Sequence, residues 1–485
     1  MSRRAFGLSM LLLVACGGDG GAPDGGASVD AARSAVQGTW FVHYHSASDE
    51  TTVPIDLTGI TVAAWVPLGD GQFERIEGAG NPDGRFFIAD VPEERVYIQV
   101  YDVFVATADR EIDLGWDAEG RPDYGIGSAG TTLRADVSAL SPWEFLDDLM
   151  LSVPGLGFSF PLQYLSTAEI PAGATEVADL TCDWEYFPLI EAGDAAALYQ
   201  YETVPVGSES FSTPTRGVDL AAFSMAAGAT TDITAAMAPL DATQSFRLQW
   251  NPTAYAGQAT TVHPDAFPIW AEISLGLAHG GADPRFLFTY AAPQLVRGSF
   301  LDPQVSIDRA FTYADPFPAR WARTIYASMT FVVDVAIDAA APTWLVADMI
   351  YASDLAGHGD GPITVRLAPV DGLWINGTST SGPRTGVGTN PTLTWQPPLL
   401  GEPTGYDVQV MRLFVNGSET DYEFGATFFT VEPELTFPPG VLVEGEQYAF
   451  RVAAVWAPAG DVATRPRRIS LPYAVAEAWT SPVAP

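Results

Sequence analysis

The stretch "LVEGEQYAFRVAAV", Leu442–Val455, contains a two-residue spacing of apolar side chains that is typical of a β-strand. After Tyr448, the apolar residues Phe450, Val452 and Ala454 stand at every second position. Successive side chains of a β-strand point to opposite faces of a sheet, so this spacing predicts a strand with one buried face.

Similar strand-like segments recur through the rest of the chain. They are rich in aromatic and β-branched residues, and turns of glycine, proline and aspartate separate them. Examples are "GTWFVHYH", "GITVAAWVPL", "ALYQYETVPV", "SFRLQWNP" and "MTFVVDVAI". The pattern predicts an all-β protein made of several β-sandwiches. Its length of 485 residues corresponds to about three domains.

One short helix is predicted near the centre of the chain, in "LSPWEFLDDLML". Ser141 suits the N-cap, Pro142 the first helical position and Glu144 the third, which together make a capping box. Leu140 and Phe145 would then pack against each other across the start of the helix.

The charge of the chain excludes some classes of partner. The formal net charge is −36, and every basic side chain apart from histidine is an arginine. Such a balance repels phosphate backbones and anionic lipid head groups. We therefore expect no nucleic-acid partner, and no attraction of the folded part to a membrane surface through charge.

The N-terminus carries an export signal. Arg3 and Arg4 precede an apolar run, Gly7–Ala15, that is too short to span a bilayer and is typical of a signal peptide. The run ends in Leu13-Val14-Ala15-Cys16, which resembles the lipobox of bacterial lipoproteins. The resemblance implies cleavage before Cys16, a diacylglycerol on its thiol and an acyl chain such as palmitate on its new amine.

These features predict the location of the protein. We expect residues 1–15 to be the signal peptide and residues 16–35 to be a flexible tether of glycine, proline and aspartate. The resemblance implies the outer membrane, because Gly17 stands where an aspartate would retain a lipoprotein of enteric-type bacteria in the inner membrane. Several acyl chains hold a protein on a bilayer stably, whereas one chain does not.

The first folded part resembles an accessory module. "NPDGRFFIADVPEERVYIQV", Asn81–Val100, begins with a Pro-Asp-Gly turn and continues with Phe86, Ile88 and Val91 at near period-two spacing. This order resembles the carboxypeptidase regulatory-like (transthyretin-like) β-sandwich and covers residues 36–108. The resemblance implies a non-catalytic domain.

The last part resembles a second known module. Leu442, Gly445 and Tyr448 are similar to the tyrosine corner of a fibronectin type III domain, with Trp395 as its core tryptophan. The resemblance covers residues 386–485 and implies that the Tyr448 hydroxyl bonds back to the backbone. The β-rich region between the modules, residues 109–385, is expected to form one or two domains.

Two groups of residues suggest metal ligands. His43 and His45 stand on one face of a strand near Asp49 and Glu50, and two imidazoles at this spacing can share a metal. The segment "DLGWDAEGRPDYG" places oxygen ligands suited to calcium around a glycine, although its spacing departs from the EF-hand loop. The calcium candidates are Asp113, Asp117, Glu119 and Asp123. For both groups, ordinary surface residues are the alternative.

Other candidate groups are more general. Asp136, Asp147 and Asp148 could supply a glycosidase pair, although a chain with 59 acidic residues brings some pair together by chance. Cys182 is expected to be a buried, unreactive thiol. The thirteen tryptophans either fill cores or include a platform for stacking sugars. No nucleophile elbow, zinc-protease motif or P-loop occurs.

The sequence therefore predicts a non-catalytic lipoprotein of the outer membrane that presents β-sandwich modules to a protein or another envelope partner. It predicts no cofactor apart from a possible calcium ion. Two alternatives stay open. One is a carbohydrate-binding surface protein, for which several aromatic rings would be exposed on one face. The other is a hydrolase with its site in the central region.

Overall fold

The computed structural model describes residues 33–45, 50–206, 209–278, 293–319, 321–338, 341–359, 361–416, 419–468 and 471–485. The signal peptide, Cys16, most of the predicted tether, Asp49 and His279 lie outside these residues. Strands dominate the described part and arrange into several sheets, which confirms the prediction of an all-β, multi-sandwich protein.

The first part of the chain forms two sheets. A central ladder joins β9, β1, β6, β5, β4, β7 and β8, and a small sheet has the order β10-β2-β3. The strands are β1 (Arg33–Thr39), β2 (Phe41–His45), β3 (Glu50–Pro54), β4 (Val62–Gly69), β5 (Gln72–Gly80), β6 (Arg85–Pro92), β7 (Val96–Val100), β8 (Val103–Thr107), β9 (Glu111–Asp113) and β10 (Trp116–Glu119).

The second part is a sandwich with its own core. The sheet β14-β11-β17 packs on strands β13, β12, β15 and β16, and the fully buried Trp184 belongs to this core. The elements are β11 (Thr132–Ser138), β12 (Asp148–Val153), the 3-10 turns Pro154–Leu156 and Leu162–Leu165, β13 (Phe158–Pro161), β14 (Glu176–Asp183), β15 (Ala197–Val206), β16 (Glu209–Asp219), β17 (Thr230–Ala236) and β18 (Ala238–Pro239).

The helix predicted in "LSPWEFLDDLML" is wrong, because this segment is a loop followed by β12. Leu149, Leu151 and Val153 alternate with more polar residues and are fully buried, so the two-residue period prevails over the capping signal. Glu144 and Asp147 close a short turn instead, and Phe145 is 94 % exposed.

The third part contains the longest strands and the three short α-helices of the described residues. Strands β20, β23 and β24 pair antiparallel over most of their lengths. The elements are β19 (Gln244–Trp250), α1 (Thr253–Ala256), α2 (Ala259–Val262), β20 (Ala266–Ala278), β21 (Gln294–Leu301), β22 (Ile307–Tyr313), β23 (Ala322–Asp338), β24 (Ala341–Asp354) and α3 (Leu355–His358).

The last part places the sheet β26-β25-β28-β31 over strands β29, β30, β32 and β33. Strand β25 lies before residue 386, so this pair of sheets includes residues upstream of the predicted module. The strands are β25 (Asp371–Ile375), β26 (Thr378–Ser379), β27 (Arg384–Thr385), β28 (Thr392–Gln396), β29 (Gly405–Asn416), β30 (Glu419–Thr430), β31 (Glu434–Thr436), β32 (Gln447–Trp456), β33 (Tyr473–Trp479) and β34 (Val483–Ala484).

One ladder connects the third, last and first parts. It runs β21-β20-β23-β24-β33-β32-β29-β30-β8, and we call it the long sheet. Strands β30 and β8 pair in parallel, with Thr427 opposite Val103 and Phe429 opposite Val105. One face of the long sheet carries Met349, Ala476 and other buried apolar residues of the largest core. The opposite face carries a row of polar side chains, and beside it apolar residues such as Tyr326, Ala352 and Tyr473 pack into the core of the first part.

Candidate functional site

The two predicted metal groups meet, but an arginine lies between them. His45 Nε2 lies 2.8 Å from Asp117 Oδ1, because β2 and β10 pair in parallel and bring the two segments together. Arg468 donates to both oxygens of Asp117, at 3.0 and 3.3 Å, and its Nη1 lies 3.4 Å from His43 Nε2. Asp113 is 3.9 Å from the same guanidinium. We call this group the Arg468 cluster.

The Arg468 cluster has the electrostatics of a structural ion-pair network. The bond to Asp117 raises the pKa of His45 above its ordinary value, since it favours the imidazolium. His43 Nδ1 lies 3.2 Å from the Glu50 carboxylate. The guanidinium therefore supplies the positive charge that a metal ion would otherwise bring.

The calcium site stays a prediction without structural support: in the described part of the chain, no group of three or more histidine, cysteine or acidic side chains is placed to hold a metal ion. Asp113 and Asp117 face Arg468, whereas Asp123 accepts a 2.8 Å bond from Arg121. Glu119 lies opposite His45 in the β10–β2 ladder. Asp113 and Asp117 pair with one arginine and Asp123 pairs with another, so the four acids do not converge on one ion.

The candidate glycosidase acids bond to the chain around them. Asp136 accepts from the Asp179 backbone N–H, and the buried Asp147 accepts from the backbone N–H groups of Glu144 and Thr203. Asp148 accepts a 2.5 Å bond from the side-chain amide of Gln163. Burial raises the pKa of both Asp147 and Asp148. These contacts give the three acids structural roles.

Cys182 is a free, fully buried thiol whose pKa burial raises to about 12. His263 is also buried, with Nε2 at 2.9 Å from the Ser481 hydroxyl, and burial lowers its pKa. His358 Nδ1 lies 3.3 Å from the Tyr351 hydroxyl. The thiol of Cys182 is therefore buried, and each of the two histidines contacts a side-chain hydroxyl group.

The residues that define the resemblance of the last part lie together. Tyr448 Oη accepts a 2.9 Å bond from the Val443 backbone N–H, and Gly445 has a φ of +87° in the intervening turn. Trp395 is buried and packs edge-on against Tyr406, and Leu442 belongs to the same core. Membership in the fibronectin type III family itself stays a prediction.

The face of the long sheet opposite the largest core holds a row of carboxyl groups that the sequence analysis did not predict as a site. Asp348 on β24, Glu477 on β33 and Asp407 on β29 lie in one register row. Glu477 accepts from the Asp348 backbone N–H at 2.9 Å and pairs with Arg451 at 2.9 Å. Thr330 donates to Asp348 at 2.6 Å. We call these residues the polar row.

The three carboxyl groups of the polar row have raised pKa values. Burial raises the pKa of Glu477 to about 7, against the opposing attraction of Arg451, and burial also raises the pKa of Asp348 and Asp407. Three neighbouring carboxyls with one close arginine would carry excess negative charge if all were ionised, and this disfavours full ionisation. Glu477 is only 6 % exposed, so the centre of the polar row is shielded from solvent.

A cavity of about 510 Å³ opens at the Asp407 end of the polar row, where the first and last parts of the chain meet. We call it the junction cavity. Its lining residues are Trp40, Tyr101, Asp102, Val103, Trp116, Asp407, Gln409, Phe424, Thr427, Phe429, Pro466 and Arg467. The Arg467 guanidinium lies 4.8 Å from the Trp116 ring centroid and 5.7 Å from that of Trp40. Aromatic side chains and a few polar groups thus share one concave surface.

Most tryptophans proposed as a sugar platform are core residues. Trp143, Trp184, Trp250 and Trp321 are buried, and Trp116 and Trp270 are partly buried. Trp344 is the exception, with an exposed fraction of 66 %. It lies on β24, on the same face of the long sheet as the polar row.

The sequence analysis did not identify the two arginines that contact the Arg468 cluster and the junction cavity, because their partners lie far away in the sequence. Arg467 and Arg468 stand in "TRPRRIS", more than 300 positions from the histidines and tryptophans that they contact. Three arginines close together in an acidic chain could have indicated that this segment pairs with acidic or aromatic side chains elsewhere. A comparison with known protein families finds no match for this chain, and a comparison with curated proteins finds none either.

Proposed function

We propose that this protein is a non-catalytic, lipid-anchored protein of the outer membrane that binds another protein of the cell envelope through the long sheet. The observation that carries the proposal is an exposed apolar patch on this sheet. Phe267 and Val346 are 45 % and 44 % exposed and flank Val332 in one register row across β20, β23 and β24. Trp344 lies two residues from Val346 on the same strand. We call Phe267, Trp344 and Val346 the apolar patch.

Exposed apolar patches of this kind mark interaction surfaces, because burying each large side chain fully yields about 1.5–3 kcal/mol. Trp344 has the most to gain, since a tryptophan combines a large apolar area with few rotatable bonds. A rigid three-stranded support also keeps the ordering cost of binding low.

Charge favours a protein over a lipid surface as the partner. Asp334 is exposed directly opposite Trp344 in the β23–β24 ladder, and the chain has a net charge of −36. Insertion of the patch into a bilayer would bring this carboxylate towards anionic head groups, which repel it. Acylation of Cys16 would instead place the protein at the membrane and confine its partner to the envelope. No helix in the described part of the chain has the length and apolar character needed to cross a bilayer.

Site-specific photo-crosslinking tests the proposal. A photoreactive amino acid replaces Trp344 in the full chain, expressed in a bacterium that acylates lipoproteins. The matched control has the same amino acid at Tyr186, which is 79 % exposed in the second part of the chain. We expect one envelope protein to be captured at position 344 and not at position 186. Phe267→Ser in the same chain should reduce this product several-fold.

Other products would contradict the proposal. Identical products at both positions would show that contact with position 344 is unspecific. A product of twice the chain mass would show that the patch joins two copies of this protein. Irradiation without any product would remove the patch as a partner surface.

A further inference from the structure

We propose that the junction cavity binds an uncharged saccharide. This inference goes beyond the proposed function, because the cavity and the apolar patch use different residues and the two roles can fail separately. The volume of about 510 Å³ falls in the range of cavities that hold small molecules.

The cavity offers aromatic surface for the carbon-bound hydrogens of a sugar ring. Tyr101 and Phe424 line the cavity and are 37 % and 45 % exposed. Trp40 and Trp116 meet edge-to-face, with ring centroids 6.4 Å apart. The first part of the chain supplies three of these rings and β30 supplies Phe424, so the site requires the β8–β30 junction.

Two polar atoms of the cavity residues lack partners. Trp40 is only 8 % exposed, and its indole N–H is buried without a hydrogen bond among the described residues. The same holds for Oδ1 of Asp407, whose other oxygen lies 3.5 Å from the Gln409 side-chain amide. Buried polar groups normally have partners, since an unmade hydrogen bond is costly. One group is a donor and the other an acceptor, and sugar hydroxyls serve both because each donates and accepts.

Charge narrows the class of ligand. Asp102 and Asp407 line the cavity, and two acidic side chains disfavour an anionic ligand such as a phosphate ester. An added organic cation would meet Arg467, which already occupies a tryptophan face, and Arg451 beside Asp407. A purely apolar ligand would leave the carboxyl oxygen without a partner. An uncharged polyhydroxylated ring avoids all three costs.

Binding can be measured by quenching of tryptophan fluorescence and confirmed by calorimetry. The probes are glucose, galactose, N-acetylglucosamine, cellobiose, maltose and chitobiose, added to the full chain in a detergent without a sugar head group. Glucosamine, glucose 6-phosphate and tetramethylammonium provide the charged comparison. We expect saturable binding of at least one uncharged saccharide and weaker binding of its charged counterparts.

Variants locate the site. Trp40→Phe removes the indole N–H and keeps an aromatic ring, and Asp407→Asn replaces the carboxylate with an amide of similar shape. Each should weaken binding by about tenfold. Trp374→Phe makes the same chemical change on β25, outside both the cavity and the apolar patch, and should bind as the wild type does. Phe424→Ala, at the exposed rim, replaces any variant that fails to fold.

The proposal is overturned if no uncharged saccharide binds saturably, or if the cavity variants bind as tightly as Trp374→Phe. Preferential binding of tetramethylammonium or of the phosphate ester would also overturn it, because the class of ligand would be wrong. Crosslinking at position 344 is a separate experiment on different residues, so neither the binding nor the failure to bind a saccharide changes the evidence for an envelope partner.

Discussion

Arg467 and Arg468 are adjacent in sequence, yet they serve two contrasting regions of the molecule. In the Arg468 cluster, both oxygens of Asp117 and both ring nitrogens of His43 have partners. In the junction cavity, Arg467 lies over tryptophan faces, while an indole N–H and a carboxyl oxygen lack partners. Ion pairs of this kind stabilise the fold, whereas a cavity lined by polar atoms without partners can bind a ligand.

The largest expected effect separates the two arginines. Arg468→Ala would leave the buried Asp117 without its cation, and breaking such a pair costs about 3 kcal/mol of unfolding free energy. Arg467→Ala removes contacts between a cation and aromatic rings, worth about 0.5–2 kcal/mol. Thermal and urea unfolding of both variants measures the difference. Equal losses, or a larger loss for Arg467→Ala, would contradict the assignment of structural and binding roles.

The sequence predicted the fold class more successfully than the sites. Period-two spacing is local, so the strands around Phe86, Ile88 and Phe450 could be recognised without knowledge of their partners. The helix predicted at Ser141 does not form. Cap residues act over a single turn, whereas the burial of Leu149 and Leu151 depends on pairing with a strand about 50 positions away. His43 and Asp117 were predicted in two separate metal groups, and the side chain that contacts both of them comes from residue 468.

A smaller effect compares two aspartates. Asp407 has a raised pKa, so the folded state favours its neutral form and wild-type stability relative to Asp407→Asn falls as pH rises. This fall begins near the ordinary value of 3.8 and ends above the folded-state pKa. We expect Asp407→Asn to be as stable as the wild type or more stable at pH 8, by about 1 kcal/mol.

Asp117→Asn provides the matched comparison, since it removes the negative charge that Arg468 and His45 contact. It should lower stability at pH 8 by about 1–3 kcal/mol. Unfolding curves at pH 4, 6 and 8 distinguish the two positions. A loss at Asp407 as large as that at Asp117 would mean that the cavity carboxyl is a structural partner too.

We propose that an acyl anchor at Cys16 holds the protein on the outer membrane, where the apolar patch and the junction cavity face the envelope. The most direct measurement is metabolic labelling with a palmitate analogue, followed by separation of membranes and extraction with alkaline carbonate. We expect a labelled wild-type chain in the outer-membrane fraction and an unlabelled Cys16→Ser chain released from it. Membrane retention of an unlabelled Cys16→Ser chain would contradict the lipid anchor and the proposed location.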